Sequence, residues 1–251
     1  MARYEFNAQR LFVRAPLESA ARISLDRVQA NYVRNVLRLS AGAPLLLFNG
    51  RDGEWQSTVN ECGRKSVTLA VTAMTRPQES LRDFEYLFAP LKHARQDYMV
   101  EKAVEMGVSR LRPLLTRRTQ THRINIERMS ANAIEAAEQC GILAIPDIAA
   151  PAKLDEALDD WDPQRLLIFC DEEAPLSDPL AALGQGPRTR ENPCLALLIG
   201  PEGGFDEAER QRILKLPNVI RLALGPRILR ADTAAVAALS LIQAALGDWR
   251  E

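Results

Sequence analysis

The stretch Leu197-Leu198-Ile199-Gly200-Pro201-Glu202-Gly203-Gly204-Phe205-Asp206 decides how the second half of the chain is read. An apolar run of strand length opens into three glycines and a proline, and an acidic helix start follows. Strand, tight loop and helix in that order form the repeating unit of a parallel sheet covered by helices, whose ligands gather where the strands end. Glycine at such an exit lets a ligand lie flush against the backbone. The spacing is not G-x-G-x-x-G and no Gly-Lys-Ser/Thr follows, so neither a dinucleotide fingerprint nor a phosphate loop is supported. A tight turn without a ligand accounts for the same glycines, and this segment alone leaves both readings open.

A second loop of the same kind ends the next apolar run: Leu224-Gly225-Pro226-Arg227-Ile228-Leu229-Arg230-Ala231-Asp232-Thr233. Two Gly-Pro loops leaving neighbouring strands would wall a flat, uncharged group such as adenine, with backbone N–H and C=O reading its edge. Beside that wall Arg230 is either a surface arginine or a contact for developing negative charge, and the adjoining Asp232 and Thr233 favour the second. Asp232 also stands where the last helix needs an N-cap, a role that can coexist with a chemical one.

Outward from these loops, strand and helix signals alternate. Tyr86–Ala89, Val108–Leu115, Leu166–Cys170, Leu195–Ile199 and Val219–Leu224 read as strands. Residues 94–106, 126–139, 207–216 and 233–246 read as helices. The expectation is an α/β domain with a mostly parallel sheet. The first seventy-odd residues differ. Leu11–Val13, Pro44–Phe48, Trp55–Val59 and Val67–Val71 read as short strands around one helix, which Asp26 opens with Gln29 three positions on. Val28, Tyr32, Val36 and Leu37 form its expected apolar stripe. A small β-barrel or curled sheet is the economical arrangement. Residues 74–82 are polar and aperiodic, which places a linker there and divides the chain into residues 1–74 and 75–251.

The formal charge of −1 hides an asymmetry of +4 over residues 1–75, +4 over 76–128 and −9 over 129–251. Arginine supplies most of the positive charge in the first half, and its planar fork suits phosphate. Arg10, Arg34, Arg38, Lys92, Arg95, Arg117 and Arg118 are the candidate contacts to a polyanion such as a nucleic acid; a mixed solvated surface is the competing explanation of the same charges. No window approaches twenty consecutive apolar residues and the start lacks a signal-peptide run, so the cytoplasm is expected, with no membrane. Cys62, Cys140, Cys170 and Cys194 are too scattered, with only His93 and His122 beside them, to suggest a metal. Neither histidine belongs to a nucleophile elbow, so no hydrolytic constellation competes.

The two glycine motifs, with Asn35-Val36-Leu37-Arg38, Glu101–Val108 and Glu135-Ala136-Ala137-Glu138-Gln139-Cys140, resemble the ribosomal RNA small-subunit methyltransferase E family in order across both domains. The resemblance implies a PUA-like N-terminal domain, a C-terminal SPOUT domain with a deep trefoil knot, and a homodimer. It also implies methylation of uridine N3 in the 16S rRNA of the small ribosomal subunit. S-adenosylmethionine would lie against Leu198, Ile199, Gly200, Glu202, Gly203, Leu224, Gly225, Ile228, Leu229 and Thr233, with Arg230 and Asp232 catalytic. This chain has Ala231-Asp232-Thr233 where the family commonly has Thr-Glu-Thr, Ile142 where an arginine is usual, and Tyr32 where histidine is frequent. An RNA-binding or assembly protein without turnover, or a knotted methyltransferase for another nucleotide, are the alternatives.

Overall fold

The computed structural model describes residues 8–63, 66–121, 123–175, 178–184 and 194–250; His122 lies outside them. Contacts divide the chain into two compact units. One is the chain up to Ser80 together with Ile134–Ile145, and the other is Leu81–Ala133 together with Pro146 onward.

The first unit holds β1 (Arg10–Phe12), β2 (Arg22–Ser24), α1 (Arg27–Asn31), β3 (Pro44–Phe48), β4 (Glu54–Cys62) and β5 (Val67–Arg76). Its sheet runs β1-β3-β4-β5-β2, antiparallel except for β1 on β3. Register shifts along β4 and β5 curl it, and β1 and β2 remain its edges, so it is a half-barrel. Leu11, Val33, Leu45, Leu47 and Leu69 fill the concave side. Asp26 caps α1 as expected, accepting from the Gln29 N–H at 2.8 Å. The Gln29 side chain, however, reaches the Phe12 carbonyl at 2.7 Å instead of completing a capping box.

The expected apolar stripe holds at Tyr32 and Leu37, which pack against the core, and is corrected at its other two positions. Val28 and Val36 are 78% and 61% exposed, while Ala30 and Val33 are buried. After one turn the helix widens into a π-helical turn over Tyr32–Val36, and a wider turn rotates the faces away from the 3.6-residue phase. The linker expectation is also trimmed, because β5 continues through Met74, Thr75 and Arg76. What holds that end is Glu54, whose carboxylate takes Arg10 at 2.9 Å, Arg76 at 2.8 Å and the Thr75 hydroxyl at 2.7 Å. Burial alone would raise the Glu54 pKa; the bonds from Arg76, Thr75 and Arg10 hold it below the ordinary value.

The second unit comprises β6 (Phe84–Phe88), α2 (His93–Glu105), β7 (Arg110–Leu115), the first part of α3 (Ile126–Cys140), β8 (Asp147–Ile148), β9 (Ala152–Lys153), α4 (Leu154–Asp159), β10 (Leu166–Cys170), α5 (Pro179–Leu183), β11 (Leu195–Ile199), α6 (Glu207–Leu214), β12 (Val219–Leu222) and α7 (Ala231–Leu246). The sheet order is β12-β10-β11-β6-β7-β8, with β9 also on β7, and every pair is parallel. β6 and β11 are buried at all five positions, as a sheet covered on both faces requires. In a parallel sheet all strand ends face the same way, so the loops leaving β6, β7, β10, β11 and β12 share one edge. One expectation changes here: β10 lies between β11 and β12, so the two glycine loops do not leave neighbouring strands.

Candidate functional site

The first glycine loop, residues 200–206, leaves β11. Gly200 is required by close approach, since a Cβ there would meet the Phe205 ring at 2.6 Å. Phe205 is in turn set edge-on against Phe169 of β10, with ring centroids 5.4 Å apart. The loop closes through the Gly204 N–H donating to the Pro201 carbonyl at 2.8 Å. Asp206 then opens α6 with a full capping box, its carboxylate accepting from the Glu209 N–H while Glu209 accepts from its own.

Three of the arginines proposed for RNA stand at this loop. Arg95 pairs with Glu202, Arg117 with Asp206 at 2.8 Å, and Arg118 donates to the Gly203 carbonyl at 2.8 Å. Beside them Leu91, Lys92, Gln120 and Pro201 line a shallow pocket that Arg95 and Glu202 also bound. Of the other RNA candidates, Arg38 is exposed and Arg34, half-buried, donates to the Gly63 carbonyl at 3.3 Å. The Arg10 side chain is interior, only 2% exposed, and its charge meets Glu54.

The second glycine loop leaves β12. Gly225 has φ +91°, in the left-handed region that glycine tolerates, and a Cβ there would meet nothing within 4 Å. Ile228 is 93% exposed, Leu229 is half-buried and Arg230 exposed. α7 begins at Ala231 with Arg230 at the N-cap and no side-chain cap. The N-cap expected of Asp232 is therefore corrected: it sits inside the first turn, accepting from the Thr233 N–H at 3.0 Å, where a carboxylate still complements the helix dipole. Thr233 itself is exposed, and Leu198 and Ile199 are buried in β11. Below, Tyr86 of β6 donates to the Met99 sulfur at 3.2 Å. Burial, then the charges of Cys170 and Asp232, push its pKa well above the ordinary value.

Between the two loops stands Asp171, at the end of β10, which sequence reasoning missed. Its buried carboxylate takes Arg210 of α6 at 3.1 and 3.2 Å and Arg221 of β12 at 2.6 Å. Desolvation opposes the charge, yet the two guanidiniums hold the pKa below the ordinary range. One carboxylate thereby links the helix that follows the first loop to the strand that precedes the second. Nothing local marks it, because the three residues meet only through the strand order. Among the described residues, no group of three or more His, Cys, Asp or Glu could hold a metal ion, and no helix is long and apolar enough to cross a membrane.

The comparisons with known proteins agree across the chain. The RNA methyltransferase domain matches residues 77–243 and the RNA methyltransferase PUA domain matches residues 25–72. The chain is similar to ribosomal RNA small subunit methyltransferase E of Rickettsia conorii, 27% identical over 93% of this chain and 94% of that one. It is similar too to the Synechocystis protein of the same name, 29% identical over 95% of this chain and 78% of that one. Among solved structures, a methyltransferase from Legionella pneumophila in complex with bound SAM superposes with a TM-score of 0.82 at 29% identity, covering 95% of this chain and 98% of that one. The fold is shared as well by ribosomal RNA small subunit methyltransferase E from Neisseria gonorrhoeae, at a TM-score of 0.83 and 24% identity over 95% of this chain and 98% of that one.

Proposed function

The chain belongs to the RNA methyltransferase family, and from that premise we propose that it methylates N3 of a specific uridine in the 16S rRNA of the small ribosomal subunit, using S-adenosylmethionine. The names of its full-length relatives support the substrate, and the SAM-bound Legionella structure supports the donor. The observation that carries the reading is the pair of glycine loops at one sheet edge, one requiring glycine by close approach and the other leaving a bare backbone beside Ile228.

The residues fit the donor. Leu198, Ile199, Gly200, Glu202 and Gly203 would hold it from β11, and Leu224, Gly225, Ile228, Leu229 and Thr233 from the far side of β10. When bound, S-adenosylmethionine supplies an electrophilic methyl on a sulfonium. Uridine N3 carries a proton and is a poor nucleophile until it leaves. Arg230 steadies the anion spread over N3 and the flanking carbonyls, because a guanidinium gives up no proton at neutral pH. Asp232, or a water it positions, accepts the N3 proton.

Labour divides between residues 1–74, which grip RNA through Arg34 and Arg38, and residues 75–251, which carry the chemistry; Lys92 serves the RNA from the pocket rim. The target base leaves its stack to be reached. The family match over residues 77–243 supports a knotted chain path in that domain. The exposed Ile228 supports a homodimer in which a second copy helps complete the site, and an enzyme of ribosomal RNA works in the cytoplasm.

Labelled S-adenosylmethionine offered with small-subunit particles and with naked rRNA tests the proposal, the product nucleoside being identified by digestion. The expected product is 3-methyluridine. A different methylated nucleoside, or no incorporation into either substrate, overturns it.

A further inference from the structure

The turn that follows β7 repeats one residue type at both ends, Thr116-Arg117-Arg118-Thr119, and its chemistry is directed inward. Both threonines are buried. The Thr116 N–H donates to the Thr119 hydroxyl at 2.8 Å, the two hydroxyls meet at 2.9 Å, and the Thr119 N–H returns to the Thr116 carbonyl at 3.2 Å. Three bonds across four residues leave the arginine tip little freedom.

That tip is fastened at three places, two on the first glycine loop and one on the first turn of α6. The Arg117 N–H donates to Glu209 at 2.8 Å. Glu209 is 6% exposed and its other oxygen takes the Asp206 N–H, so the capping box of α6 and the turn share one carboxylate. The Arg117 guanidinium holds the second oxygen of Asp206 at 2.8 Å. Arg118 donates to the Gly203 carbonyl, and its stem lies along the loop: a Cβ added to Gly203 would sit 3.6 Å from Arg118 Cβ and Cδ. Gly203 and Gly204 have no side chains with which to fix their own part of the loop, and here the neighbouring turn does so from outside.

We infer that Arg117 and Arg118 are positioning residues of the methyl-donor site, holding the Gly203 segment in its binding shape, and not contacts to the RNA backbone. The inference rests on the donor lying at this loop, as proposed above. The two guanidiniums are spent on one loop, Arg117 on the capping carboxylate of Asp206 and Arg118 on the Gly203 carbonyl beside which its stem lies; arginines that serve phosphates have no need of such a pair of contacts. Arginines that shape a loop do.

Arg118→Ala in the full chain separates the two roles. Hydrogen exchange over residues 200–206 is expected to quicken in the variant without any ligand, while exchange over β10 is unchanged. The Kd and KM for S-adenosylmethionine are expected to rise about fivefold, the loss of one ordinary hydrogen bond. kcat stays within twofold, as does RNA affinity, and the slope of log affinity against log salt is the same as in the parent. A slope reduced by about one with donor affinity unchanged makes Arg118 a phosphate contact and overturns the inference. So does unchanged exchange over residues 200–206. If the parent protein fails to bind S-adenosylmethionine, the donor reading falls, while the exchange result still decides whether the turn shapes the loop.

Discussion

The Phe12 backbone N–H donates to the Glu138 carboxylate at 2.8 Å across 126 positions of sequence, joining β1 to the later part of α3 within the first unit. On the other side of Phe12 its carbonyl receives the Gln29 side chain, so one strand residue is bonded from two helices.

Burial, with Glu135 nearby, raises the Glu138 pKa from 4.5 to about 7 despite the bond from Phe12. A folded value above the unfolded one favours the native state below about pH 4.5, and that advantage is lost as pH rises through about 7. The native protein is therefore expected to lose about 2 kcal/mol over that window from this group, discounted for its partial contact with water. Glu138→Gln keeps an acceptor for Phe12 and is expected to flatten the dependence. Thermal midpoints measured from pH 4.5 to 8 check this; an unchanged slope in the variant would dismiss Glu138 as its source.

Asp171→Asn keeps the shape of the side chain but leaves Arg210 and Arg221 facing a neutral amide. Removing one partner of a buried pair costs about 3 kcal/mol, here nearer 2 because Arg221 is partly exposed. Since the Asp171 pKa is depressed, its contribution is present above the ordinary carboxylate range and fades as pH falls through the folded value. Denaturant titration at pH 7 and at pH 3 is expected to show a smaller difference between parent and variant at the lower pH.

Gly200→Ala sets a methyl group against the Phe205 ring and forces it off Phe169. The expected result is a folded protein that has lost at least tenfold in affinity for S-adenosylmethionine, about 1.4 kcal/mol or more. Calorimetric titration reads it, and parent-like affinity would remove the first loop from the donor site.

Arg230→Ala is expected to retain donor binding and lose turnover by roughly a hundredfold or more, the scale of removing one charge stabiliser from a transition state. Wild-type turnover in this variant would strip Arg230 of its role.

Arg34→Ala combined with Arg38→Ala is expected to weaken RNA binding and lower its salt dependence by up to about two in log–log slope. Filter binding at several salt concentrations measures it, and an unchanged slope excludes that face.

Much of this architecture was legible in the residues. The β11 run, its glycine loop and the α6 start were readable because each is local: apolar length, turn chemistry and an Asp-x-x-Glu cap. Less was legible where geometry departs from the ideal or partners are distant. Val28 and Val36 misled because a π-helical turn shifts the burial phase. Arg10 reads as surface charge until Glu54, 44 positions away, is seen to claim it. The insertion of β10 between the two loop-bearing strands left no trace in spacing, since strand order is set by packing over the whole sheet.

The partition of α3 bears on how the molecule can be dissected. Arg76 donates to the Gly141 carbonyl, Gln78 to that of Leu143, and Phe12 to Glu138, so the half-barrel borrows a segment encoded well downstream of its last strand. A recombinant fragment stopped at residue 80 would be synthesised without these acceptors, and one stopped at residue 74 would lack the donors Arg76 and Gln78 as well. Excising the half-barrel unit intact calls for a graft: residues up to Ser80 fused through a short spacer to Ile134–Ile145.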